Sequence, residues 1–172
     1  MPVTLDITDG IALIRSSAGL DDAALPAALA AAACADAIVL HGEGREFFPG
    51  IDFKGVLRTS VGDIRARDSR TCALIADLIA LPVPVVAAIN GSAFGRGCDL
   101  ALACDLRVLA DDARLGCVTG HLVLLGHQIG ADEALRTGLV DRVVPAGDVL
   151  AAARELAVRA VRKRAQEYAS AT

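Results

Sequence analysis

Residues Asn90–Asp105 read NGSAFGRGCDLALACD, and they follow LPVPVVAAI at residues 81–89. The upstream run is short and apolar, as a buried strand is. The downstream run, CDLALAC, is apolar and helix-forming. Between them lie Gly91, Gly95 and Gly97, with Arg96 inside the loop and Asp99 at its end. A strand, a glycine loop and a helix start together make a site for an anion or an oxyanion. The first amides of a helix have no internal acceptor and point outward. The helix dipole adds partial positive charge at the same place, and glycine lets the backbone approach a ligand closely.

Other glycine loops fit less well. A dinucleotide fingerprint is GxGxxG followed by a suitably spaced acid, whereas this pattern is GxxxGxG without one. A phosphate-binding P-loop needs GK[ST], which is absent. A glycine-rich turn without function satisfies the same spacing, so the pattern alone leaves both readings open.

Working outward, VTLDI and IALIR flank Thr8-Asp9-Gly10, a hairpin signal. DDAALPAALAAAAC predicts a helix capped by Asp21 or Asp22, with Pro26 tolerated in its first turn. Ala37–His41 predicts a short buried strand. GEGREFFPGIDFKG, with glycines at 42, 44, 50 and 55, predicts a long loop of the kind that carries function. Residues 61–80 predict a helix with Leu74, Ile75, Leu78 and Ile79 on its apolar face, ended by Pro82 and Pro84. Strands are expected over Asp105–Ala110 and LVDRVVP. ADEALRTG predicts a short helix closed by Gly138, and Asp148 is the expected cap of a last helix running from about 146 to 169. The order of elements fits one α/β layered domain over residues 1–172.

Composition narrows the class further. The chain has 172 residues, 54% apolar and 22% charged, which is a globular balance. Aromatics are only 3% and the net charge is −4, which argues against stacking platforms and basic surfaces for nucleic acid. The basic cluster Arg159, Arg162, Lys163 and Arg164 reads as the solvated end of the last helix, with contact to an anionic ligand or a neighbouring subunit as the other reading. The five cysteines (34, 72, 98, 104 and 117) form no CxxC pair and no zinc spacing. Without a leader-like N-terminus, they are expected to be reduced, small and buried, in a cytoplasmic protein. No apolar run reaches membrane-spanning length.

Four stretches in order carry a family resemblance. INGSAFGRGCDLALACDLRVLADDARLG resembles a strand ending in NG followed by GGGCELALACDLRIA and DARFG. HGEGREFFPGIDFKGV resembles GxGRxFCAGADLKEL, LPVPVVAAING resembles KPVIAAVNG, and GADEALRTGLVDRVVP resembles SAEEALRIGLVDRVVP. These are motifs of the crotonase superfamily, the enoyl-CoA hydratase/isomerase family, and they cover most of residues 37–145. The chain resembles a shortened member. The family's NRPxxxNAL loop is not recognisable in SSAGLDDAAL, its GGTQRLPRLVG segment is missing after Leu124–Gly126, and its C-terminal helices are short or absent.

The resemblance implies an α/β spiral of ββα units and a lyase or isomerase acting on an acyl-CoA thioester. Two backbone amides would cradle the thioester oxygen as it becomes an enolate. By motif position these are the amides of Ile51 and Arg96. Asp99 falls where the family carries a glutamate and is the candidate general acid/base; its other reading is a helix cap. The family's second glutamate falls on Thr119. His121, two residues on, is the candidate substitute because histidine titrates near neutrality; His127 is less well placed, and His41 reads as structural. Ile51, Asp52, Phe53, Lys54 and Arg96 are the implied contacts for coenzyme A, which enters as part of the substrate. No permanently bound cofactor, metal, nucleic acid or membrane is implied, and a homotrimer or hexamer is. Arg96 stands at the family's middle glycine. It keeps a donor amide if its φ is negative, and its side chain can fill the acyl site or reach a carboxylate or phosphate. With one carboxylate, double-bond isomerisation is easier to support than hydration. A carbon–carbon hydrolase or decarboxylase on the same fold, and a catalytically inactive member, are the alternatives.

Overall fold

Asp9 takes φ 52° and Gly10 φ 76°, the two left-handed residues that a tight hairpin turn needs. Strand β1 (Val3–Thr8) therefore pairs antiparallel with β2 (Ile11–Ser16), with Thr8 opposite Ile11. The computed structural model describes residues 3–17, 20, 23–49, 60–116 and 128–170, the side chains at 61, 64 and 67 excepted.

After the hairpin come α1 (Ala24–Ala32), β3 (Ala37–Gly42), α2 (Val61–Ile79), β4 (Val85–Ile89), β5 (Ala93–Phe94), α3 (Arg96–Ala103), β6 (Leu106–Ala110) and β7 (Arg114–Gly116). The chain continues with β8 (Ile129–Gly130), α4 (Ala131–Arg136), β9 (Arg142–Val144), a 3-10 turn at Ala146–Asp148 and α5 (Val149–Ser170). The main sheet has the order β1-β2-β3-β4-β6-β9 and is parallel from β2 onward. Parallel strands covered on both faces read as unbroken apolar runs. Accordingly Ile38, Val39, Leu40, Val86, Ala87, Ala88 and Ile89 are all buried. Helix α5 crosses β3, β4 and β6, while α1 packs on β1 and β2.

Several expectations change. Strands β5, β7 and β8 form a second sheet that no periodicity announces, because two or three residues are too few to show one. The strand expected over LVDRVVP is confined to Arg142–Val144. Asp141 ahead of it turns its carboxylate to accept the Arg107 N–H at 2.8 Å. In α2, Leu74 and Leu78 are buried as expected, but Ile79 is 66% exposed. Asp148 ends the 3-10 turn that leads into α5. Asp21 and Asp22 lie outside the described residues.

Candidate active site

Beyond β4 the chain is pinned against the loop that follows β3. The Asn90 side-chain amide donates to the Gly44 carbonyl at 3.0 Å. Ser92 bridges Glu46 in parallel fashion, and the Phe47 N–H donates to the Ser92 carbonyl at 3.0 Å. A Cβ on Gly91 would stand 2.2 Å from the Arg45 carbonyl oxygen; one on Gly97 would stand 2.5 and 2.6 Å from those of Phe48 and Phe47. Close approach of two backbones is what requires glycine at both positions. Phe48 is buried with φ 45°, an uncommon conformation for a bulky residue. It hands the chain to Pro49 and the segment that carries Ile51. Ile51, Asp52, Phe53 and Lys54 lie outside the described residues, as do Thr119, His121 and His127.

Gly95 opens α3. It adopts φ 55° and ψ −125°, donates its N–H to the Gly116 carbonyl at 2.7 Å, and accepts the Asp99 N–H at 3.1 Å. Arg96 is the first helical residue, and only Asp9 and Phe48 have positive φ among the described non-glycine residues. The condition for Arg96 to keep a first-turn amide is therefore met. That amide belongs to the set without an acceptor inside the helix, at the positive end of the dipole.

Asp99 sits in the first turn of α3 and its side chain is 10% exposed. The cap position is Gly95, which makes no side-chain cap bond, so the reading of Asp99 as a helix cap is set aside. The Arg96 guanidinium donates through Nη1 to Asp99 Oδ2 at 3.2 Å. Through Nη2 it donates to Asp68 Oδ1 on α2. Hydrogen bonding to Asp68 is the largest cause pushing the Arg96 pKa up; burial opposes it, and the charges of Asp68, Cys72 and Asp99 add to it. The Arg96 side chain thus reaches two carboxylates, and both belong to this chain. Asp68 is the participant that motif reading missed. It lies 28 residues from Arg96 on an exposed helical turn, and nothing in its surroundings distinguishes it from a solvated aspartate.

The remaining candidates lie apart from this cluster. His41 Nδ1 is buried without a hydrogen-bond partner. Burial lowers the His41 pKa first and Arg15 second, against the raising effect of Glu43, so it stays neutral near pH 7 in keeping with a structural role. Cys104 is buried and its thiol is pushed up to about 12 by that burial. Cys34 and Cys72 are free thiols as expected but exposed, and Cys98 is buried as expected but disulfide-bonded, so among the described cysteines both parts of the expectation hold for Cys104 alone. Arg159, Lys163 and Arg164 line a groove of about 910 Å3 between α5 and the 78–84 segment, which includes neither Arg96 nor Asp99. Among the described residues no helix is long and apolar enough to cross a membrane.

A family model described as enoyl-CoA hydratase/isomerase matches residues 28–120 and 118–172. The chain is similar to a probable enoyl-CoA hydratase of Mycobacterium tuberculosis, 34% identical over 148 residues, covering 70% of this chain and 56% of that protein. It is also similar to a carnitinyl-CoA dehydratase of Escherichia coli, 34% identical over 148 residues, covering 72% of this chain and 56% of that one. Among solved structures, an enoyl-CoA hydratase from Bacillus anthracis superposes with a TM-score of 0.80 at 27% identity, over 92% of this chain and 76% of that one. The Pseudomonas aeruginosa protein PA4980 superposes with a TM-score of 0.82 at 29% identity, over 94% and 85%. The matched stretch is thus 56% of the length of these curated relatives.

Proposed function

Because the chain belongs to the enoyl-CoA hydratase/isomerase family, we propose that it acts on an acyl-CoA thioester by enolate chemistry, with Asp99 as the group that moves the proton. The single observation that carries this reading is the seating of Gly97 against the Phe47 and Phe48 carbonyls. It brings the helix start that holds the Arg96 amide beside the loop that leads to Ile51. Two amides converging there would hold the thioester oxygen as negative charge develops on it, and losing one such donor typically costs about 3 kcal/mol.

Asp99 supports the reading because it is largely shielded from water, one turn into the same helix. In isomerisation one carboxylate serves twice: it takes a proton from the α-carbon, the electrons pass onto the thioester oxygen, and the proton returns at the γ-carbon as the double bond moves. In hydration, water adds its hydroxyl to the β-carbon and a proton to the α-carbon, which calls for a second acid/base group or a double role for Asp99. Ile51, Asp52, Phe53 and Lys54 would flank the coenzyme A portion beside Arg96. Residues 1–172 would act as one domain, and self-association is what the family resemblance implies.

The test is the ultraviolet absorbance of conjugated enoyl thioesters. A 3-enoyl-CoA should gain conjugation and a 2-enoyl-CoA should lose it on hydration. Asp99→Asn should slow whichever occurs by about 100-fold or more, as loss of a general acid/base does. Turnover that is insensitive to this substitution would remove Asp99 from the mechanism.

A further inference from the structure

We infer that Asp68 and the side chain of Arg96 are positioning residues, which together hold the Asp99 carboxylate in one orientation. One guanidinium spans two helices: Nη1 meets Asp99 Oδ2 on α3 and Nη2 meets Asp68 Oδ1 on α2. A planar guanidinium whose two ends are both engaged cannot rotate about its terminal bond without breaking one of them. Asp68 thus fixes Arg96, and Arg96 fixes Asp99. An exposed ion pair alone would add little, and Asp68 is 53% exposed. The Asp99 end differs, since its side chain is 10% exposed and solvent has little part in orienting it. Aspartate is also a methylene shorter than the glutamate of the motif it resembles, so it reaches less far and gains more from being aimed. The motif's glycine at position 96 could supply an amide but no clamp, which makes the clamp a property of this sequence.

The effect on turnover rests on Asp99 being the proton carrier; the clamp itself does not, and the experiment reads the two separately. Protein labelled with carbon-13 at the aspartate carboxyls gives an Asp99 resonance, assigned by its loss in Asp99→Asn. Asp68→Asn is expected to displace that resonance while Arg96 is present, and to leave it unmoved in an Arg96→Gly background. Arg96→Lys, which keeps the charge and loses the fork, should behave as Arg96→Gly does. In parallel, Asp68→Asn should lower kcat about 10-fold with KM within about twofold, through misalignment of the reacting group. It should cost nothing further in the Arg96→Gly background, the non-additivity expected of residues acting as one unit. A resonance that ignores Asp68→Asn, or moves equally in both backgrounds, overturns the clamp. If the wild type turns over no enoyl thioester, the proposed function fails while the resonance still decides the clamp. Thermal unfolding of Asp68→Asn close to wild type confirms that the fold is intact.

Discussion

At Gly97 a hydrogen stands where any other residue would drive a Cβ to within 2.5 Å of a backbone carbonyl. Gly97→Ala must push α3 away from the Phe47–Phe48 segment. It is expected to cost about 1–3 kcal/mol, in the range for overpacking a closed contact, read as a lower urea midpoint with an unchanged slope. A midpoint equal to wild type would mean that the two segments do not touch. The glycine was legible in the sequence as part of a loop motif; the reason for it was not, since the partner carbonyls belong to residues 47 and 48. The Asp68–Arg96–Asp99 cluster repeats the point. Arg96 and Asp99 are three residues apart on one helix turn, a spacing that sequence exposes, whereas Asp68 enters only when α2 folds against α3.

Among the elements, α2 is the one on which that cluster depends. Its start is held by Ser60, whose Oγ accepts the Asp63 N–H at 3.2 Å and donates to the Asp63 carboxylate at 2.7 Å. Removing an N-cap typically costs about 1 kcal/mol, so Ser60→Ala should lower stability by that amount and speed hydrogen exchange of the Asp63 amide. Unchanged exchange would show that the helix start is held by other contacts. Residues 61–79 were readable as a helix because nineteen residues give its period room to repeat. Strands β5, β7 and β8 were not, because each is set by a partner rather than by its own pattern. Asp141 and Asp105 illustrate the same limit, since each looks like a strand residue in sequence. In the fold Asp141 binds the Arg107 N–H and Asp105 the Val85 N–H at 2.7 Å, and both lie just outside the strands.

Across the whole molecule, the hairpin followed by parallel buried strands sets the C-terminal ends of β3 and β4 side by side, and there the 43–49 loop and the α3 start meet. The apolar runs at 37–40 and 85–89 made that sheet legible, as full burial on both faces leaves no polar alternation to misread. What the sequence left open was how the loops at the strand ends would associate, and the proposed chemistry depends on that association. On the proposed function, this association stabilises an enolate while Asp99 takes the α-proton. Enolate formation can be measured without committing to hydration or isomerisation. A saturated acyl-CoA is incubated in deuterium oxide with the wild type or Asp99→Asn, and its mass is followed. Deuterium is expected at the α-carbon with the wild type, and exchange about 100-fold slower with the variant. No exchange above the protein-free rate with the wild type, or equal exchange with both, would contradict the proposed function.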